Sequence, residues 1–431
     1  MTTTYNPMTS LPAGAGYQAG DVLVLVGELF GRGYANGIVD EAKKAGLTVI
    51  GTTVGRRDSD GTLRPLTTEE LAEAEANLGG KIINIPLEAG FDMEPGSDGQ
   101  TPLDLLKNVK PDGWDTARFD FASIEESRRK GTIRFTSHLA VVIRELQQLI
   151  PAGATVLFAH AMAGGIPRAR VFMPLLNRVF KGQGDKYLAS GDFWGSDLGR
   201  LCQLSFDEVT ADTFRYLLDA TAAIRASHAT RYVAYGYHGC AVPIDGVYTW
   251  QSYTPYLQGW AKMRLEEHAA AAWQQGIKAT VYNCPEIQTN SSALFMGVEI
   301  SLYPLLEALV KEGDGPAAAA LRAECQALLA EGATLEQLLA GANVFLKAPL
   351  QAAFRDLAGW PHHNTREQMA VMLTCSAELL ALNANPKEIV CAPLSRAVFR
   401  AVGALMFNDS WAPTAPVAWL GHDIIARALL A

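Results

Sequence analysis

The sequence contains no run of the roughly 18–20 apolar residues that a membrane helix needs, so no membrane span is expected. Its first residues, Met1-Thr2-Thr3-Thr4-Tyr5-Asn6-Pro7, lack the basic start and apolar core of a secretory leader, and a cytoplasmic location is expected. Cysteine is sparse: six residues, at 202, 240, 284, 325, 375 and 391, with no Cys-x-x-Cys pair. That scatter excludes a zinc-finger pattern and a disulfide framework, and reads as reduced thiols in the core. Basic residues are outnumbered, with a formal net charge of −9, so no phosphate-backbone partner is expected and nucleic acid is set aside. Neither a Gly-x-Ser-x-Gly elbow nor a P-loop occurs, which counts against a hydrolase and against a nucleoside triphosphatase of those kinds.

With 49% hydrophobic and 19% charged residues, the chain has enough apolar material for a large core. The most informative stretch is Asp21–Asp58. Val22–Val26 is a continuous apolar run of the kind buried on both faces of a sheet. Glycines follow at 27, 31, 33 and 37, then a helical segment from Ile38 to Ala45, then a second apolar run, Leu47–Ile50. A strand that turns sharply into a helix wants glycine, and the missing Cβ also lets a phosphate reach the unpaired N–H groups of the helix start. The spacing Gly27-x3-Gly31-x-Gly33 differs from the ordinary dinucleotide fingerprint. Arg32 between the glycines, with Arg56 and Arg57 after the second run, offers positive charge to phosphates.

Four further strands are expected at Lys81–Pro86, Thr155–Ala159, Arg231–Tyr235 and Lys278–Tyr282, with helices between them. Six strands alternating with helices predict an α/β fold, a Rossmann-like doubly wound parallel sheet. Residues 299–431 read as helices, with Glu388–Val390 the one weak strand candidate, so a C-terminal helical region is added to the sheet. The expected organisation is an arm over 1–20, a dinucleotide-binding and catalytic unit over 21–310, and a helical extension over 311–431. Within the second unit, 88–125 is an insertion rich in Gly, Pro and Asp, long for a connection. The extension is a candidate contact between identical copies. The fourth strand ends in His160-Ala161-Met162-Ala163-Gly164-Gly165, small residues at the edge where open α/β sheets bind ligands.

After the fifth strand come Tyr237-His238-Gly239, then Tyr253, Tyr256 and Lys262. The Gly-x3-Gly-x-Gly turn, the His160–Ala163 turn and the local sequence Leu257–Glu266 resemble the short-chain dehydrogenase/reductase superfamily. Within it the chain is most similar to the enoyl-acyl carrier protein and trans-2-enoyl-CoA reductase branch, over about residues 20–310. The resemblance implies a nicotinamide cofactor and a tyrosine–lysine pair beside it. Gln258 stands where the ordinary Tyr-x3-Lys pair would put its tyrosine; Tyr253-x8-Lys262 has the longer spacing of some enoyl reductases and is favoured over Tyr256, with Tyr237 as a second phenol. It implies cofactor contacts from Gly27, Gly31, Arg32, Gly33, Arg56, Arg57, His160, Ala161, Lys262 and Pro285, and no metal.

The implied chemistry is hydride transfer to the β-carbon of an enoyl thioester carried by acyl carrier protein or CoA, with a phenol O–H stabilising the enolate oxygen. Arginines in place of an acid after the second strand favour NADP(H); Asp58 keeps NAD(H) as the alternative. A carbonyl or alcohol oxidoreductase of the same superfamily, and a nucleotide-binding protein without redox chemistry, are the competing readings. A methyltransferase, which wants an acid after the second strand, fits less well.

Overall fold

The sheet is built from strands whose alternate residues feed two different cores. In the computed structural model, which describes residues 5–252, 257–289, 296–313, 315–359 and 361–431, β1 is Val22–Val26 and every residue of it is buried. Leu23 and Leu25 join one apolar cluster, while Val22, Val24 and Val26 join the other. That division is what a strand with helices on both sides requires. The other strands are β2 (Thr48–Thr53), β3 (Lys81–Pro86), β4 (Val156–His160), β5 (Thr230–Gly236), β6 (Ala279–Asn283) and β7 (Val417–Trp419). Their order across the sheet is β7-β6-β5-β4-β1-β2-β3, all parallel, with Val22 level with both Thr48 and Val156. The strand order reverses between β1 and β4, and their carboxyl ends open the crevice where such sheets bind ligands. The expected Rossmann-like parallel sheet is therefore observed.

Three differences from the sequence reading have physical causes. First, a seventh strand is drawn from the C-terminal region: Val417–Trp419 is only three residues long, and Val281 lies level with Val417. Glu388–Val390, the candidate named above, is no strand; Glu388 makes only an isolated bridge to Asn385. Second, the connection after β5 is an antiparallel hairpin, Gly239–Ile244 with Val247–Ser252, turned by Asp245 (φ 50°) and Gly246 (φ 74°). Third, the helical stretch between β4 and β5 is interrupted by a π-helical turn at Asp207–Asp212.

On one face, α1 (Ala35–Lys44) crosses a helix at Cys391–Trp411 at very short range. A Cβ on Gly37 would lie 2.0 Å from the Phe399 carbonyl oxygen, and one on Gly403 would lie 2.1 Å from the Gly37 carbonyl carbon. Gly37 thus serves helix packing, and the C-terminal helix is keyed onto the nucleotide-binding half. The other face is covered by α3 (Phe121–Leu149), through Phe135, Leu139, Val142 and Leu146, and by α4 (Leu257–Gln274), through Leu265, Ala269 and Ala272. Earlier in the chain, α2 (Thr68–Leu78) starts with the capping box that Thr67 and Glu70 form. The N-terminal arm covers the outer edge of the sheet: the Met8 N–H donates to the Trp419 carbonyl at 2.9 Å. Tyr17 packs against Phe407 and Trp411. Among the described residues, no helix is long and apolar enough to cross a membrane.

Candidate active site

The carboxyl ends of β1 and β4 bring the two small-residue turns into contact. Gly27 has φ 118°, a conformation only glycine adopts cheaply, and a Cβ there would lie 3.1 Å from the Ala161 carbonyl carbon. Ala161 in turn donates its N–H to Val26 O at 2.8 Å. Gly31 and Gly33 differ from Gly27: a Cβ on either would meet nothing within 4 Å. Their open side is where a phosphate could approach the backbone. Arg32 between them is exposed and makes no ion pair among the described residues. Tyr34 closes the turn by donating its hydroxyl to the carbonyl of Pro285, just after β6, while its ring stacks on Tyr235 at 5.7 Å. The turn thereby spans the crevice from β1 to β6.

Beside the turn, a cleft with an empty volume of about 710 Å³ runs toward the ends of β2 and β3, lined in part by Gly27, Phe30, Thr52, Arg56 and Asn77. Its most telling residue is Glu28. Its Oε1 accepts from Thr53 Oγ1 at 2.6 Å, from the Val54 N–H at 3.1 Å and from Arg56 Nη1 at 2.8 Å. An acidic group therefore does stand at the end of β2, carried there from the end of β1. Arg57 is turned elsewhere: it pairs with Glu88 and also donates to Gly61 O. Glu88 collects Arg168 and Arg134 as well, so the start of the 88–125 insertion is pinned by arginines from three different segments. Both arginines on which the preference for NADP(H) rested are thus engaged by carboxylates.

The other half of the crevice lies under α4. Lys262 is 5% exposed and makes no ion pair among the described residues. Burial drags its pKa down to about 8, against a smaller upward pull from the Cys284 thiol. His160, at the end of β4, is fully buried; its Nε2 lies 2.9 Å from Thr213 Oγ1, and its Nδ1 has no partner among the described residues. Burial, with the nearby Lys262 charge, holds it neutral, its pKa well below the usual histidine range. One helical turn beyond Lys262, Glu266 accepts from Asn283 Nδ2 at 2.8 Å and faces His238 Nδ1 at 3.3 Å, tying α4 to β5 and β6. The outer side of α4 is fastened to the π-helical turn, where Asp212 accepts from Arg264 Nε and approaches His268 Nε2, each at 2.8 Å. Lys262 is therefore held on a helix braced from both sides.

Of the residues singled out in the sequence, the structure brings Gly27, Gly31, Arg32, Gly33, Ala161, His160, Lys262 and Pro285 to one crevice. Arg56 lines the cleft, whereas Arg57 is committed to Glu88. Tyr237 directly follows β5 and is half-buried. Tyr253 and Tyr256 lie outside the described residues. The sequence reading missed Glu28, Tyr34 and Tyr235. Tyr235, on β5, has a buried hydroxyl with no partner among the described residues, and burial pushes its pKa well above the usual phenol range. Glu28 was legible in part, as an acid directly after the first glycine, but its reach to β2 is a matter of tertiary geometry.

A nicotinamide dinucleotide fits this set of groups: an open glycine cradle, an exposed arginine, a buried lysine and two buried polar atoms without partners among the described residues, Tyr235 Oη and His160 Nδ1. Comparison with known proteins bears on the same point. Residues 4–429 match the family model described as enoyl-acyl carrier protein reductase FabMG. The chain belongs to the FabMG enoyl-acyl carrier protein reductase family. Its activity is enoyl reduction, in agreement with the sequence reading. The apo structure of FabMG, described as among novel types of enoyl-acyl carrier protein reductase, is similar with 49% identity and a TM-score of 0.96, over 100% of this chain and 98% of that one. A structure described as NADH-bound FabMG is similar with 40% identity and a TM-score of 0.80, over 100% of this chain and 99% of that one. No curated protein sequence matches the chain.

Proposed function

We propose that this FabMG family member reduces the 2,3 double bond of a carrier-bound enoyl thioester with NADH, and that Lys262 organises the reacting end of the site. The carrying observation is the burial of Lys262 without an ion-pair partner among the described residues. An ammonium held this way is unfavourable in the free protein and becomes favourable only when a ligand uses it. Lys262 would hold the cofactor ribose and, by its charge, favour ionisation of a nearby phenol. Bound NADH supplies the hydride that adds to the β-carbon. The chain's own contribution is a phenol O–H directed at the thioester oxygen, where negative charge develops. Tyr253 is favoured for that role by its spacing from Lys262; Tyr256 and Tyr237 are the alternatives. The Gly27–Gly33 spacing, the buried lysine on α4 and the parallel sheet together support membership of the short-chain dehydrogenase/reductase superfamily. Gly27, Gly31, Gly33, Arg32 and Ala161 would cradle the pyrophosphate.

NADH rather than NADPH is proposed for two reasons. The relative at 40% identity is described with NADH bound. In this chain, Glu28 offers a carboxylate near a ribose lying over β2, and its charge opposes a 2′-phosphate; Glu70 and Glu73 line the same cleft. The division into a 21–310 unit and a 311–431 extension is retained as a proposal, with the extension supplying β7 and the helix keyed to Gly37. The test is to follow the absorbance of NADH and NADPH separately with crotonyl-carrier protein and crotonyl-CoA, in wild type and in Tyr253→Phe and Tyr256→Phe. Oxidation of NADH in preference to NADPH, with much the greater loss in Tyr253→Phe, is expected. No oxidation of either cofactor would overturn the reading, and equal activity in the two variants would overturn the phenol assignment.

A further inference from the structure

A second pocket lies between the segment that follows β6 and the C-terminal helices. Two of its lining residues fix its place. Ser252 ends the hairpin immediately before Tyr253, and Glu286 directly follows Pro285, the residue that receives Tyr34 from the glycine turn. The opposite wall comes from helices at Leu335–Lys347 and Arg366–Ala381 and the turn at Pro349–Arg355. The helical extension therefore forms half of a chamber whose other half is the dinucleotide-binding unit.

The chamber's polar lining is unusual for one meant to hold hydrocarbon alone. Gln251 and Asn364 are 5% and 6% exposed, and the amide oxygens of both have no hydrogen-bond partner among the described residues. The Ser252 hydroxyl, on a residue 3% exposed, is also unpartnered among the described residues. Buried acceptors left in this state are unfavourable and are nearly always satisfied in functioning proteins. A saturated or unsaturated acyl tail carries no N–H donor. The pantetheine arm that joins a thioester to its carrier carries two amide N–H groups separated by methylenes, and Met369, Met372 and Phe345 add apolar surface to the same lining.

We propose that this chamber receives the pantetheine arm of the substrate, with Gln251 and Asn364 accepting its amide N–H groups. The assignment rests on the enoyl reductase reading above and deepens it. The helical extension thereby acquires a function, recognition of the carrier's arm. Glu286, whose Oε2 accepts from Ser301 Oγ at 2.6 Å, is the acidic residue of the lining, and burial raises its pKa to about 7.

The test compares truncated substrates sharing one acyl group: crotonyl-N-acetylcysteamine, with one amide, against crotonyl-pantetheine, with two, each with NADH. Wild type is expected to favour the pantetheine thioester in kcat/KM, by about five- to tenfold for the additional hydrogen bond. The volume-conserving variants Gln251→Met and Asn364→Leu are each measured on both substrates, with thermal melting to confirm folding. The variant at the residue that accepts the distal amide is expected to remove most of that preference through KM, and the variant at the residue that accepts the shared amide to lower kcat/KM on both thioesters alike. A preference for the pantetheine thioester that is unchanged in both variants, whether or not activity falls, would overturn the assignment. So would variants that change discrimination between crotonyl and octenoyl chains while the preference for the arm stays fixed, since that would make the chamber an acyl pocket. If wild type reduces neither thioester with NADH, the reductase reading itself fails. If wild type reduces both and the variants give one of those contrary results, the chamber assignment fails alone.

Discussion

Replacing Lys262 by methionine should make the protein more stable and nearly inactive. The pKa of Lys262 falls from 10.5 to about 8 on folding, mainly because burial strips the ammonium of water. At about 1.36 kcal/mol for each tenfold change in proton affinity, that fall amounts to about 3 kcal/mol of unfavourable free energy at pH 7. Methionine fills a similar volume without the charge. For a chain of 431 residues, with about 2.1 cal/mol/K of unfolding entropy per residue, that corresponds to a rise in Tm of about 3 °C. The pH dependence carries the sign. Below pH 8 both the folded and the unfolded chain hold the proton, so the full penalty is present. Between pH 8 and 10.5 the unfolded chain binds more protons than the folded one, wild type gains stability relative to the variant, and the gap closes. Enoyl reduction in the variant should fall by about 10²- to 10³-fold, the size expected when a charged group acting on the transition state is removed. Thermal melts of the two proteins without cofactor, at pH 7 and pH 10, together with NADH oxidation, make the comparison. A variant less stable than wild type at pH 7, or one with near wild-type kcat, would refute the reasoning.

Two further outcomes follow from the cleft and the helix crossing. Glu28→Gln keeps hydrogen-bonding capacity near Thr53 and Val54 but removes the charge and releases Arg56 from its ion pair. The ratio of kcat/KM for NADPH to that for NADH should rise by about tenfold, or about 1.4 kcal/mol, and an unchanged ratio would remove Glu28 from cofactor selection. Gly403→Val places a side chain against the backbone of Gly37, where even a Cβ would lie 2.1 Å from a carbonyl carbon. Loss of about 2–3 kcal/mol in urea unfolding is expected, whereas a neutral result would mean the two helices can separate without consequence.

What could be read in the sequence was what local patterning controls. Val22–Val26 and the glycines after it announced a buried strand and a nucleotide turn, and the strand–helix alternation pointed to the parallel sheet. Lys262 stood out because the preceding tyrosines flagged its helix. Three of the failures share a cause: they depend on what the chain meets at long range. Val417–Trp419 is three residues long and becomes a strand only because β6 offers it an edge. Gly37 looked like part of the phosphate turn, but its contact is with Phe399 and Gly403, near the other end of the chain. Arg57 looked free to meet a phosphate until Glu88 folded back onto it. The hairpin at 239–252 was the avoidable miss, since Asp245-Gly246 is the turn pair such hairpins prefer. The amide-lined chamber had no sequence signature, because Gln251 and Asn364 meet only across the folded molecule.

The central claim is that hydride passes from NADH to the β-carbon of an enoyl thioester in the crevice beside Lys262. Its most direct test uses NADH carrying deuterium at the transferable position, with crotonyl-carrier protein as substrate and mass spectrometry and NMR of the product. The account predicts butyryl thioester with deuterium at C3. Deuterium on the carbonyl carbon, as in carbonyl reduction, or product formed without any deuterium would contradict it.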